Sequence, residues 1–274
     1  MSLVSTDWLE KNINDVIILD ASWHMPNSKR NAYEEFNKEH IKNAIFFDIE
    51  KFSNKKTELP HMLPNEKEWE KIVSNLGISN KDRIIVYDNS DVISSCRCWY
   101  TFIFFGHNPN LISVLNGGLS KWKKENKKTT NEILNYNKKK YYSKKITKLV
   151  KTKKQIDKNI LEKKFQVIDA RSRNRFSGLE KEPRQGLRSG SIQNSYCLPF
   201  GELINFENNT FKEKKIIKEK FSKIGIDEEN NVVFSCGSGI TAAVLSLAYS
   251  MINDKYLPVI YDGSWAEYGR INKK

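Results

Sequence analysis

The second half of this 274-residue chain repeats the first, and that repeat constrains the fold more than any single motif. Val16-Ile17-Ile18-Leu19-Asp20-Ala21 has a counterpart in Val167-Ile168-Asp169-Ala170-Arg171, each an apolar run ending on an aspartate. Glu39-His40-Ile41-Lys42-Asn43-Ala44 matches Gly190-Ser191-Ile192-Gln193-Asn194-Ser195. Ile84-Ile85-Val86-Tyr87-Asp88 matches Val232-Val233-Phe234-Ser235-Cys236, and Leu115-Asn116-Gly117-Gly118 matches Tyr261-Asp262-Gly263-Ser264. The offsets run from 146 to 151 residues in the same order, which chance does not supply four times over. Each half alternates short apolar strands with amphipathic helical stretches, so the pattern predicts two α/β domains, each a mainly parallel sheet with helices on both faces. Helices are expected over Glu66–Leu76, Ser95–Gly106, Phe211–Ile224 and the apolar Ala242–Met251. A Lys/Asn-rich stretch marks the boundary, giving a first domain over 1–134, a linker over 135–148 and a second domain over 149–274.

The net charge of +13 invites a nucleic-acid reading, but the charge is spread. Lysine outnumbers arginine about four to one, and the densest basic region, Lys121 to Lys164, carries no nucleic-acid motif. No run of about 18 apolar residues exists, and the first residues lack the charged-then-apolar pattern of an export signal. The four cysteines (Cys96, Cys98, Cys197, Cys236) show no metal-ligand spacing, and reduced thiols fit best. The expectation is a soluble cytoplasmic protein with no membrane segment, no specific nucleic-acid partner, no metal and no organic cofactor.

One cysteine stands apart. The apolar run Val232-Val233-Phe234 leads directly into Ser235-Cys236-Gly237-Ser238-Gly239-Ile240-Thr241, and a mostly apolar helical stretch follows. A cysteine on a strand-to-helix turn meets backbone N–H groups and the positive end of a helix dipole, both of which favour a thiolate. Most free cysteines in apolar surroundings are inert small hydrophobes. Two glycines, a hydroxyl at Ser238 and the turn itself outweigh that reading here and point to nucleophilic chemistry on sulfur or phosphorus. A cysteine phosphatase would need an arginine six residues after the nucleophile to grip phosphate oxygens, and that position is Ala242. Five of the nine arginines (Arg171, Arg173, Arg175, Arg184, Arg188) fall within one window of 18 residues, as planar donors for a carboxylate would. Arg173 and Arg188 read instead as surface residues paired with Glu180 and Glu182. In the first half the position of Cys236 is taken by Asp88, so only the second half carries a nucleophile.

The loop Cys-Gly-Ser-Gly-Ile-Thr, the doubled domain and the terminal Tyr-Asp-Gly-Ser-Trp resemble the tandem rhodanese-domain sulfurtransferases, in the branch that uses 3-mercaptopyruvate. The resemblance spans Leu3 to Tyr268. Relatives that use thiosulfate carry cations in the loop after the cysteine; this loop is neutral. The resemblance implies that Cys236 accepts sulfur and that Ser238 is its hydroxyl partner. It implies that His61, in His61-Met62-Leu63-Pro64, reaches the site with Glu50 behind it, where many relatives carry aspartate. Arg175 and Arg184 are implied to hold the substrate's carboxylate and ketone, and Gly237, Gly239, Ile240 and Thr241 to complete the substrate-binding loop. Where relatives have His-Ile-Pro-Gly, the second half has Ser191-Ile192-Gln193-Asn194, for which altered loop stability is expected; His40 in the first half is expected to be packed rather than catalytic.

The implied reaction moves sulfur from 3-mercaptopyruvate onto Cys236 as a persulfide, releases pyruvate, and passes the sulfur to thioredoxin, a small thiol or cyanide. The cysteine itself carries the group, and a monomer suffices. Two alternatives stand beside it: a thiosulfate sulfurtransferase of the same fold, and a persulfide carrier that delivers sulfur to a thiolation partner.

Overall fold

The computed structural model describes residues 2–271; Met1 and 272–274, at the outer ends of the two expected domains, lie outside the described residues. The chain forms two compact units. One holds the chain up to Asn54 together with Leu63–Ile146 and Asn205–Phe211; the other holds Lys55–Met62, Thr147–Ile204 and the chain from Lys212 onward. The units are therefore not the two contiguous stretches expected. Each takes in a short segment from the other half of the sequence. The stretch expected as a linker stays with the first unit as far as Ile146, because aromatic residues anchor it. Tyr141 is buried with its hydroxyl 3.4 Å from His107 Nδ1, and Tyr136 donates to the Asn43 carbonyl at 2.7 Å.

In the first unit five parallel strands run in the order Leu3–Val4, Ile112–Leu115, Ile84–Tyr87, Ile17–Asp20, Ala44–Phe46. In the second the order is Val150–Lys151, Ile260–Tyr261, Val232–Ser235, Gln166–Asp169, Tyr196–Cys197, again all parallel. Numbered within each unit, both sheets read first, fifth, fourth, second, third, so the sequence repeat is a repeat of topology. The two fourth strands, Ile84–Tyr87 and Val232–Ser235, are buried at every position. That is why they read as unbroken apolar runs rather than alternating ones: a parallel strand covered on both faces has no polar side.

Helices start where capping chemistry permits. Asn65 and Glu68 form a reciprocal capping box at Glu66–Asn75, and Thr152 and Gln155 do the same at Lys153–Glu162. The expected Ser95–Gly106 helix runs Ser95–Phe104, and the apolar one runs Ile240–Ile252. The expected Phe211–Ile224 helix is shorter, Lys214–Ser222. Phe211 lies in the short strand Thr210–Phe211, and its N–H donates to Asn116 Oδ1 at 2.9 Å instead of entering a helix.

Asn43 and Asn194 occupy the same place in the two halves and share a conformation, with φ of 66° and 60°. Asparagine tolerates this left-handed backbone better than other side-chain-bearing residues. Each side-chain amide also donates to a main-chain carbonyl, Ile13 in one half and Ile160 in the other, both at 3.2 Å. His40 is fully buried, stacked on Phe36, with its ring nitrogens facing the carbonyls of Phe36 and Glu132. Among the described residues no helix is long and apolar enough to cross a membrane.

Candidate active site

Val232–Ser235 is the middle strand of its sheet, between Gln166–Asp169 and Ile260–Tyr261. At its carboxyl end the chain makes a four-residue turn, Cys236 to Gly239, before the helix begins at Ile240. The turn closes only because Gly239 takes φ +81°, a left-handed conformation that glycine adopts without steric cost. Its N–H donates to Cys236 Sγ at 3.1 Å. The sulfur therefore lies at the amino end of a 13-residue helix, where orphan amides and the helix dipole favour an anion.

The following turn holds the main chain of Cys236. The Cys236 N–H donates to Ser264 Oγ at 3.2 Å, and that hydroxyl donates to the Tyr261 carbonyl at 2.9 Å. The carbonyls of Cys236 and Gly237 accept from Trp265 and Ala266 N–H, both at 2.9 Å. Within the loop the Gly239 N–H faces the sulfur, while the N–H of Cys236 itself is bound to Ser264. Ser264 stands at φ +49° where the first half has glycine. A side-chain-bearing residue is retained there against its backbone preference, and its hydroxyl is what it contributes.

Ser238 is buried, and its Oγ lies 2.9 Å from His61 Nδ1. Arg184 Nη2 donates to the same oxygen at 3.3 Å. With the imidazole protonated at Nε2, the Ser238 O–H donates to Nδ1, so hydroxyl and ring form a proton path. His61 is buried at φ +58° and belongs, through Lys55–Met62, to the same unit as the cysteine. Glu50, expected behind His61, belongs to the first unit, where its Oε1 accepts from Trp23 Nε1 at 2.8 Å.

Arg175 lies on the Arg173–Ser177 helical turn, capped by Ser172. A Cβ placed on Gly237 would stand 3.1 Å from Arg175 Nη2 and 3.5 Å from Arg184 Nη1. Glycine at 237 thus lets two guanidiniums approach one peptide. Ile240 is buried and Thr241 half-buried on the first turn of the helix. Cys236, Gly237, Gly239, Ser238, His61, Arg175 and Arg184 come together in the second unit.

Behind Arg175 runs a chain of charges. Its Nε and Nη2 donate to Glu182 at 3.2 and 2.7 Å. Arg171 Nη1 donates to the same carboxylate at 2.7 Å and also grips Asp169, with Nη2 to Oδ2 at 2.6 Å. Burial works against the Arg171 charge, but the Asp169 and Glu182 carboxylates hold its pKa above the ordinary value. The Arg171 guanidinium also lies 4.4 Å from the centre of the Trp265 ring. Glu182, expected as a surface partner of Arg173 or Arg188, is instead a buried partner of Arg171 and Arg175. Arg173 pairs with Glu202 at 2.5 Å, and Arg188 lies 4.5 Å from the Trp265 ring.

The other thiols are placed differently. Cys96 and Cys98 are fully buried, and burial pushes both pKa values well above the ordinary thiol range. Burial raises Cys197 to about 11. These three stay protonated near neutral pH. Ser264, Glu182 and Arg171 were not picked out from the sequence as site residues, although Ser264 standing opposite Gly118 in the repeat was a visible departure.

A doubled parallel α/β fold with one cysteine at a helix amino terminus and a carboxylate at the equivalent place defines a two-domain cysteine-dependent transferase. The rhodanese-like domain model matches residues 5–125 and again 152–270. The chain belongs to the rhodanese family, as a tandem-domain sulfurtransferase enzyme that works through a persulfide. It is 38% identical to thiosulfate/3-mercaptopyruvate sulfurtransferase 1, mitochondrial, of Arabidopsis thaliana, over 97% of this chain and 75% of that one. It is 34% identical to the thiosulfate sulfurtransferase of Rattus norvegicus, over 98% of this chain and 92% of that one. Its fold is similar to that of the 3-mercaptopyruvate sulfotransferase SseA of Escherichia coli, with a TM-score of 0.87, 30% identity, and 97% of this chain and 100% of that chain covered.

Proposed function

We propose that the sulfur donor is 3-mercaptopyruvate and that Cys236 is the residue that carries the sulfur. The observation that carries this reading is the pairing of a neutral Cys236–Thr241 loop with two guanidiniums gathered over Gly237. A planar carboxylate and its neighbouring ketone match forked donors. A doubly charged inorganic donor would gain no cation from the loop itself.

In the proposed reaction Arg175 and Arg184 hold the donor's carboxylate and carbonyl, and the Cys236 thiolate attacks the donor sulfur. The S–S bond forms as the S–CH2 bond breaks, and the electron pair stays with the carbon as the enolate of pyruvate. The proton lost by the donor's thiol moves to that carbon through Ser238 and His61. Charge and atoms balance: a thiolate and mercaptopyruvate become an anionic persulfide and pyruvate. The persulfide rests against the Gly239 N–H until an acceptor takes its outer sulfur. Thioredoxin or a small thiol is the proposed acceptor, cyanide a laboratory one. The protein is proposed to act as a monomer in the cytoplasm.

Side-by-side kinetics with mercaptopyruvate and thiosulfate, with pyruvate assayed as product, test the donor. A higher kcat/KM for mercaptopyruvate with stoichiometric pyruvate supports the proposal. A preference for thiosulfate would overturn it in favour of the thiosulfate reading, and sulfur delivery without pyruvate release would favour a carrier.

A further inference from the structure

Glu182 does no chemistry in the scheme above, yet its carboxylate is buried beside the loop. Its side chain is 1% exposed, against 17% for Arg175, which it holds. Burying a carboxylate is costly unless it is fully paired, and this one is paired twice, to Arg175 and to Arg171. Arg171 in turn is fixed by Asp169 on the strand and by the Trp265 ring. The main-chain N–H of Trp265 donates to the Cys236 carbonyl. A continuous set of contacts therefore leads from the sheet to Arg175 on one side and to the nucleophile's main chain on the other.

An isolated arginine on a short helical turn loses considerable side-chain entropy when it must hold one rotamer for a ligand. Here two of its nitrogens are committed to Glu182 before any donor arrives, while the guanidinium stays within reach of the Gly237 peptide. We propose that Glu182 is the positioning residue of the sulfur-loading step: it orients Arg175 over Gly237 so that the donor's carboxylate meets a preset fork. The proposal rests on the reading of Arg175 as a donor-binding residue. It assigns Glu182 to one half of the cycle only, because cyanide removing the outer sulfur has no carboxylate to be held.

The test separates the two half-reactions in Glu182→Gln and Glu182→Asp. Persulfide formation from mercaptopyruvate is followed by rapid quench and intact mass, and discharge of preloaded persulfide by cyanide is followed as thiocyanate. For Glu182→Gln the loading rate at low donor should fall about 10- to 100-fold, chiefly through KM, while discharge stays within about twofold. Glu182→Asp keeps the charge with a shorter reach and should recover most of the loss. Loading unchanged in Glu182→Gln overturns the proposal. So do loading and discharge falling together, the mark of a merely structural role. Thermal unfolding is measured in parallel; if Glu182→Gln does not fold, Glu182→Asp must show the same one-sided loss at smaller amplitude, and equal losses overturn the assignment. A wild-type enzyme that takes no sulfur from mercaptopyruvate would refute the donor reading itself, a result distinct from any of these.

Discussion

The Cys236 loop and the Asp88 loop occupy the same place in two copies of one fold, and they solve the same electrostatic problem differently. Each follows the fourth strand of its unit and precedes a helix. In each, the carbonyl of the first loop residue accepts an N–H from the next helical turn: Leu119 to Asp88 at 3.0 Å, Trp265 to Cys236 at 2.9 Å. The second-half loop runs four residues before its helix, the first-half loop seven, from Asp88 to Ser94. In the first half the Asp88 carboxylate accepts the N–H groups of Ser90 at 3.0 Å and Ser95 at 2.8 Å, the latter at the start of the helix. The amino end that meets a sulfur in one half is filled by a built-in carboxylate in the other. The frame offers N–H donors at the helix start in both halves, although burial still raises the Asp88 pKa against them, and the residue at its centre decides whether the group there is reactive.

The acids at the ends of the second strands differ in the same spirit. Asp169 is neutralised by Arg171, the start of the chain that reaches Arg175. Asp20 has Ser22 at the position of Arg171, and burial raises its pKa to about 6 even though Ser22 hydrogen bonds work against the shift. The first-half arginine that reaches the Asp88 loop, Arg30, donates to the Asn89 carbonyl and is committed to Glu35 through Nε and Nη2 at 2.7 and 2.6 Å.

The strongest way to break the comparison is to exchange the central residues. Cys236→Ser should reduce turnover at least about 1000-fold, because an alkoxide is not available to accept sulfur near neutral pH. Adding Asp88→Cys to that variant should not restore it, since Arg30, the arginine that reaches that loop, is already committed to Glu35. One sulfur atom gained at the thiol introduced by Asp88→Cys, read by intact mass and peptide mapping after mercaptopyruvate treatment, would show that the frame alone suffices. A sharper and smaller test is Ser264→Gly, which gives the second half the residue found at Gly118. The change removes a left-handed serine but also the hydroxyl on the Cys236 amide. Stability should change by less than about 1 kcal/mol, because the two effects oppose, while kcat/KM falls about three- to tenfold. Chemical denaturation and steady-state rates measured on one preparation separate them; a rise in both would mean that the hydroxyl has no part in holding the loop.

The smallest effect concerns Asp20. Its folded pKa lies above the unfolded value, so its contribution to stability is fully present below the unfolded pKa near 3.8 and is lost as pH rises through about 6. Asp20→Asn removes a group that must ionise in a buried place. The variant should gain stability relative to wild type as pH rises across that window and stay level above it, as read from urea midpoints at several pH values. A constant difference across the window would mean that Asp20 does not titrate there.

Much of this was legible in the sequence because it is local. Unbroken apolar runs mark strands buried on both faces, and four ordered matches place those strands in two copies of one sheet. The turn Cys236-Gly237-Ser238-Gly239 announces its geometry through its glycines. Arginine crowding between 171 and 188 in a lysine-rich chain marks a need for forked donors. Less legible was what each arginine does. Glu182 looks like a surface acid in Leu-Glu-Lys-Glu-Pro-Arg, and nothing in its neighbours indicates that the folded chain seals it between Arg171 and Arg175.

The amino-acid order by itself determined the doubled α/β plan and the placing of one cysteine on a glycine-flanked strand-to-helix turn, since periodicity, glycine placement and side-chain chemistry act over a few residues. Only the tertiary structure decided which groups meet. His61 reaches Ser238 across 177 positions of chain, and Ser264 reaches the Cys236 amide across 28. Such contacts are set by where the packed strands deliver their ends, and burial then turns ordinary polar residues into fixed partners because an unpaired polar group inside the fold is too costly to keep.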